Sequence, residues 1–294
     1  MRLATLRLEG EETAAVRIED GYVPVRAVNA RLGSDWPEDL FSLIASERLE
    51  AMRQWYDSEG SAALAEGKEK DRIAADRASI GPLYHKPPKI WGIGLNYAAH
   101  AADLAETPPT LAPASFMKPH TTVIGPGDEI RIPRLSHRTT AEAELGVVVG
   151  RTGKDVADDD WLSVVAGFTG VIDMTAEDIL RHNPRYLTLS KSFDTFFSFG
   201  PELVTPDEIG GVAGLTVATV HNGAVHAENT VANMTFSPAR LISFHSSVMT
   251  LLPGDIISTG TPGAALIAHG DTVACRIDGF ASLANPVVDL KRKG

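Results

Sequence analysis

Three acidic side chains carry the chemistry that this sequence makes most legible. Glu142 and Glu144 stand in Thr140-Ala141-Glu142-Ala143-Glu144-Leu145, and Asp173 stands in Val171-Ile172-Asp173-Met174-Thr175. Both runs read as strands, where residues two apart share a face, so Glu142 and Glu144 present two carboxylates side by side. Like charges that close raise one another's pKa unless a cation lies between them. Three carboxylates without paired Cys or His describe an all-oxygen site, for Mg²⁺ or Mn²⁺ before Zn²⁺. A Glu-x-Glu in a strand is ordinarily a solvated face. Here Glu144 runs into Leu145-Gly146-Val147-Val148-Val149-Gly150, a strand apolar enough to be buried on both sides.

Further constellations could serve such a cation. In Gly94-Leu95-Asn96-Tyr97-Ala98-Ala99-His100-Ala101-Ala102-Asp103, the alanines favour a helix from Ala98. His100 and Asp103 then share a helix face, and a carboxylate on an imidazole raises its basicity, as a general base acting on water requires. Lys191, in Ser190-Lys191-Ser192-Phe193-Asp194-Thr195, is placed to stabilise an oxyanion or bind a carboxylate. Glycines and hydroxyls in Thr259-Gly260-Thr261-Pro262-Gly263 suit a carboxylate, and Lys118 of Phe116-Met117-Lys118-Pro119 offers a second cation. Each has a plainer account: a surface histidine, a solvated lysine, a tight turn, surface packing. Gly92-Ile93-Gly94 lacks the third glycine of a dinucleotide fingerprint, and neither a phosphate-cradling loop nor a Gly-x-Ser-x-Gly elbow occurs.

The elements that must hold these residues divide at about residue 86. Residues 1–86 read as a small N-terminal α+β domain and linker. Its strands alternate through residue 26 with a turn at Asp20-Gly21. A helix follows from Pro37, capped by Ser34 or Asp35, with Leu40, Phe41, Leu43, Ile44, Leu49, Met52 and Trp55 as its buried stripe. Glu66 to Arg77 is charge-rich, and Pro82, Pro87 and Pro88 mark the linker. Residues 87–294 alternate many short strands with few helices, expected at 98–106, 156–166, 175–181 and 238–249, and with a hairpin turn at Asn222-Gly223. The fold class is β-dominated α+β.

Composition narrows the partners. Over 294 residues the net charge is −11, which argues against nucleic acid and anionic membrane. The apolar share of 44% and the charged share of 22% are ordinary for a globular chain. One cysteine, Cys275, excludes an intramolecular disulfide and fits a strand core. With no signal-like or membrane-spanning run, a cytoplasmic protein is expected.

Taken in order, Gly94–His100, Phe116–Pro119, Glu142–Leu145, Asp173, Lys191–Asp194, Gly200-Pro201 and Thr259–Pro262 resemble the fumarylacetoacetate hydrolase family. The resemblance runs from Lys89 to the end. It implies that family's mixed β-sheet roll, commonly a homodimer, and a Mg²⁺ or Mn²⁺ on Glu142, Glu144 and Asp173. It also implies catalysis by His100, Asp103 and Lys191, with Asn96, Tyr97, Lys118, Gly260 and Thr261 meeting substrate. The implied activity is hydrolytic cleavage of a C–C bond in a small 2,4-diketo acid, acylpyruvate-like or sugar-derived, through a metal-stabilised enolate. Such chemistry belongs to the catabolism of aromatic or sugar acids. An isomerase, tautomerase or decarboxylase of 2-keto acids of the oxaloacetate or hydroxymuconate type is the alternative, and a catalytically silent binding homologue is the third.

Some positions depart from the family pattern. Asp103 stands where hydrolases usually carry Glu, with Glu106 on another helix face. Glu177 replaces a usual Arg, Leu180 a usual Gln, and Thr140 an Asp. Fumarylacetoacetate itself is therefore not expected as substrate, and Arg181 or Arg185 are candidates for the lost cation.

Overall fold

A computed structural model describes residues 1–66, 71–103 and 107–292, with the side chain of Asp103 outside the description. The N-terminal strands are β1 (Arg2–Leu8), β2 (Glu11–Ile18), β3 (Gly21–Pro24) and β4 (Ile73–Ala74). Among the described residues, the α-helices between them are α1 (Val25–Leu32), α2 (Leu40–Ala45), α3 (Leu49–Trp55) and α4 (Ser61–Ala65). Next come β5 (Ile90–Gly94), α5 (Ala98–Asp103), β6 (Ala114–Lys118), β7 (Val123–Ile124), β8 (Ile130–Ile132) and β9 (Thr139–Val149). Then follow β10 (Val165–Ala176), α6 (Glu177–His182), α7 (Leu187–Lys191), β11 (Phe197–Val204), β12 (Thr216–His221) and β13 (Ala224–Thr230). The last elements are α8 (Pro238–Val248), β14 (Ile256–Ser258), β15 (Ala264–Leu266), β16 (Thr272–Ile277) and β17 (Leu283–Asp289).

Among the described residues these strands form a 12-stranded sheet, with the path β4-β3-β2-β1-β11-β10-β9-β14-β5-β6, and a 5-stranded sheet, β13-β12-β16-β17-β8. Parallel pairs (β14 with β5, β7 with β11, β17 with β8) stand among antiparallel ones, so the architecture is β-dominated and mixed, as the sequence predicts. The first strand pairs with β11 at Arg2↔Val204 and Leu3↔Leu203, so the N-terminal strands continue the same sheet. No helix among the described residues is long and apolar enough to cross a membrane.

Alternation on β9 and β10 decides what each face of the large sheet does. Ala141, Ala143, Leu145, Val147 and Val149 of β9, with Phe168, Ile172 and Met174 of β10, enter the core that includes residues of the smaller sheet. On the opposite face Val148 and Val171 join a second core, built with Leu40, Leu43, Ile44 and Met52 of the N-terminal helices. That second face also carries Glu142, Glu144 and Asp173, further along the strands.

Two helix expectations need correction. The stripe from Leu40 to Trp55 is two helices, because Asp39, not Ser34 or Asp35, caps α2 through Ser42 N at 2.8 Å, and Glu47 adopts a left-handed φ of 58° between them. The expected helix over 156–166 is a turn with a short 3-10 segment at Trp161–Val164. Asp158-Asp159-Asp160 favours turns over helix interiors, and Val165 is drawn into the sheet against Val149. The hairpin at Asn222-Gly223 stands as expected, with φ of 50° and 81°. At the N-terminal end, α1 begins at Val25 and Arg26, the last two residues that the sequence reads as strand.

Candidate metal centre

Register brings the three carboxylates together. Glu142 faces Asp173 directly across β9 and β10, and Glu144 faces Val171 one rung away on the same side. One oxygen from each lies within 4.8 Å of the others. Glu144 and Asp173 are fully buried, with Glu142 partly open. A hydroxyl from Ser258 and the amide of Gly260 donate to Glu144 Oε2 over 2.5 and 2.8 Å. Thr175 donates to Glu142 Oε1 over 2.7 Å, and Thr140, the residue that departs from the family's Asp, does so over 3.4 Å.

Two lysines enter this acidic cup. Lys118 Nζ lies 2.5 Å from Asp173 Oδ1, and Lys191 Nζ lies 2.8 Å from Asp173 Oδ2 and 3.2 Å from Glu142 Oε2. Both are buried, contrary to a solvated lysine or surface packing. Aromatic rings support them: Lys191 lies 4.7 Å from the Phe116 ring centre, and Lys118 lies 5.9 Å from that of Phe196.

Burial, reinforced by Asp173 and Glu142, pushes the Glu144 carboxyl up to about 8. Asp173 also feels burial, but Lys118 and Lys191 outweigh it and hold this carboxyl below its usual range. Burial pulls Lys118 down to about 8 against the attraction of Asp173, with Lys191 adding repulsion. For Lys191 burial is overcome by Asp173 and Glu142, which raise it. Three carboxylate donors, two of them buried and one partly open, without thiol or imidazole among them, fit a hard divalent cation.

Glycine is needed at 260, where φ is +99° and a Cβ would stand 2.8 Å from Asn96 Cβ. Asn96 is buried and committed to backbone: its Nδ2 donates to Phe236 O and Thr259 O, and its Oδ1 accepts from Phe236 N, over 2.9, 2.7 and 2.8 Å. It thereby ties the end of β5 to the Gly260 turn that holds Glu144. Tyr97 is fully buried, and burial, reinforced by the charges of Glu144 and Cys275, raises its phenol. The Thr261 hydroxyl closes its own turn through Gly263 O at 3.1 Å. His100 is buried on α5, four residues beyond Asn96, whereas its expected partner atoms on Asp103, and Glu106, lie outside the described residues.

The sequence does not mark Ser258, Thr175, Phe116 or Phe196 as site residues in their own right. Thr175 lies two residues beyond Asp173 and so shares its face, a signal present but unweighted. Ser258 and the two rings depend on pairings between distant strands. Glu177, the reversed charge, binds Arg138 Nε and Arg181 Nη2, each at 2.5 Å. A separate groove of about 350 Å³, lined by Arg53, Arg151 and Asp207 among others, contains none of these residues.

Comparison with known proteins agrees with this arrangement. The family model for the fumarylacetoacetate hydrolase C-terminal region matches residues 89–288. A mitochondrial oxaloacetate tautomerase of Xenopus laevis is 36% identical over 211 residues, covering 69% of this chain and 66% of that one. The structure of maleylpyruvate hydrolase from Sphingobium sp. SYK-6, in complex with manganese(II) and pyruvate, is 29% identical with a TM-score of 0.79, covering 98% of this chain and 99% of that one. The 5-carboxymethyl-2-hydroxymuconate delta-isomerase of Mycobacterium smegmatis is 28% identical with a TM-score of 0.75, covering 98% and 99%. Relatives of this chain are thus hydrolases, isomerases and tautomerases. With the paired carboxylate strands and a family match over residues 89–288, the chain belongs to the fumarylacetoacetate hydrolase family.

Proposed function

We propose that this protein is a divalent-metal-dependent hydrolase that cleaves a C–C bond in a small 2,4-diketo acid. The observation that carries the reading is the convergence of Glu142, Glu144 and Asp173 within 4.8 Å beside two buried lysines. Glu142, Glu144 and Asp173 would hold Mg²⁺ or Mn²⁺, which would supply Lewis acidity toward the carbonyl of a 2-keto acid. The Mn²⁺ and pyruvate in the maleylpyruvate hydrolase relative support that assignment.

The protein's own groups do the rest. His100 takes a proton from water, and the resulting hydroxide adds to the distal carbonyl carbon. The bond between C3 and C4 breaks, and its electron pair passes to the keto-acid half, which then takes up a proton. Lys191 stabilises the negative charge that develops, its ammonium fixed by Asp173. Gly260 and Thr261 shape the pocket wall that positions the substrate carboxylate.

A second reading, tautomerisation of a 2-keto acid such as oxaloacetate, is favoured by the 36% identity to the Xenopus enzyme. It uses the same cup and needs only proton transfer. Both readings are tested by supplying Mg²⁺ or Mn²⁺ with a panel of 2,4-diketo acids and enol-oxaloacetate, following enol absorbance and separating products. Cleavage products support the hydrolase. Loss of enol without cleavage supports the tautomerase, and inertness toward the whole panel with either metal ends both.

A further inference from the structure

Along the side of β9 away from β10, the neighbouring strands change over. Pairing with β14 reaches Ser258↔Gly146, and pairing with β15 starts at Ala264↔Glu142, so the backbone between faces the turn of residues 259–263. At one end Leu145 O accepts from Thr259 N and from the Thr259 hydroxyl over 3.0 and 2.8 Å. Ala143, which separates the two glutamates, instead donates its N–H to Thr219 Oγ1 over 3.1 Å. Thr219 is fully buried on β12 of the smaller sheet, and its hydroxyl donates to Gly263 O over 2.8 Å. An amide N–H can only donate and a carbonyl only accept, so both directions at this hydroxyl are fixed. The turn sits close against β13, where Ala227 pairs with Thr219 and would stand 2.5 Å from a Cβ on Gly263. Cys275, the partner of Thr219 on β16, adds a thiol contact to Glu144 O at 3.6 Å.

These bonds close a circuit. Gly260 N donates to the Glu144 carboxylate, the turn runs on to Gly263, Thr219 links Gly263 to Ala143, and the chain returns to Glu144. We propose that Thr219 is a positioning residue of the metal centre: by locking Ala143 it fixes the spacing of Glu142 and Glu144, and so favours a small ion over a larger one. This rests on the metal reading of the cup and is independent of the substrate. Mg²⁺ demands near-ideal octahedral ligands at about 2.0–2.1 Å, whereas Ca²⁺ accepts irregular ones at about 2.3–2.6 Å. A stiff pair of carboxylates therefore suits the first ion, and slackening it harms the second little. Valine resembles threonine in shape but has no hydroxyl, so T219V takes this acceptor from the Ala143 amide while T219S keeps it.

The test titrates the metal-free protein with Mg²⁺ and with Ca²⁺ by calorimetry, with thermal melts of each metal-free variant. In T219V, Mg²⁺ affinity is expected to fall by on the order of tenfold, as for loss of an outer partner of a metal ligand. Ca²⁺ affinity holds, so the ratio of the two moves toward Ca²⁺ by the same factor, and T219S keeps the native ratio. A hydroxyl that served the fold alone would lower the melting temperature and weaken both ions equally. An unchanged ratio in T219V, or the same shift in T219S, overturns the proposal. Should T219V not fold, hydrogen exchange on the native protein decides. Linkage requires saturating Mg²⁺ to protect the Ala143 amide more than saturating Ca²⁺ does, relative to Val147 on the same strand, and equal protection overturns the proposal. If the native protein binds neither ion, the metal reading is what has failed, and the role of Thr219 falls with it.

Discussion

Lys118 and Asp173 form a buried ion pair, Nζ to Oδ1 at 2.5 Å, although they lie on β6 and β10, on opposite sides of β9, β14 and β5 in the sheet order. The large sheet must therefore curl for its edge strand to deliver a cation over its middle. A flat sheet at ordinary strand spacing would leave them about 19 Å apart. Curvature thus places the second lysine where a reading strand by strand leaves it on the surface. Removing one member of such a pair strands the other charge in a buried setting.

Glu144→Gln removes one anionic donor while keeping shape. Mn²⁺ affinity measured by calorimetry is expected to fall by on the order of 100-fold, at least the upper end of what loss of an outer-shell partner costs. The stabilisation that saturating Mn²⁺ gives the native protein, about 4 kcal/mol at a thousandfold excess over Kd, shrinks accordingly in thermal melts. Unchanged metal affinity would remove Glu144 from the centre.

His100→Ala separates the two functional readings. Hydrolytic cleavage is expected to drop on the order of 10²–10⁴-fold, the usual contribution of a positioned general base. Tautomerisation, which needs no attacking water, falls far less. Steady-state rates on one 2,4-diketo acid and on enol-oxaloacetate give the comparison, and equal losses would deny His100 a role specific to water.

Gly92→Ala tests the packing beneath Lys191. A Cβ at this position would stand 2.2 Å from the Phe116 ring, so the ring must move. The expected cost is about 1–3 kcal/mol of stability. Because that ring lies 4.7 Å from Lys191 Nζ, turnover falls as well. Urea denaturation and initial rates read the two effects.

Acid sensitivity should appear at Asp128. Burial tends to raise this carboxyl, but the paired bonds from Arg7 and the Gly125 amide outweigh it and hold it below the usual value. The unfolded chain therefore binds the proton more readily. The stabilisation is complete above the ordinary carboxylate range and is lost as pH falls through the lowered folded-state value. Asp128→Asn is expected to be less stable than native at neutral pH, with the gap closing in acid. A gap that widened in acid would contradict the assignment.

Local chemistry and period two made much of the centre readable. Glu142, Glu144 and Asp173 announce themselves because carboxylates interrupt apolar strands, and the order of short motifs supplies the family. Ser258 could not be read, since its contact with Glu144 depends on β14 lying beside β9, more than a hundred residues away in sequence. Asn96 invited a ligand role because nothing local reveals that its amide is already satisfied by Phe236 and Thr259. Helices failed where one residue decided the outcome, as with the left-handed Glu47, or where a sheet competed for the segment, as at Val165.

The pairing of β1 with β11 has a practical consequence for anyone trimming or recombining this chain. A fragment cut near residue 86 would bare the Leu203–Val204 end of β11, the strand adjoining the one that bears Asp173. Naked strand edges recruit other chains, so such a fragment is expected to clump unless a replacement strand is grafted onto it. Hybrids between relatives would have to keep both halves of that seam from the same parent.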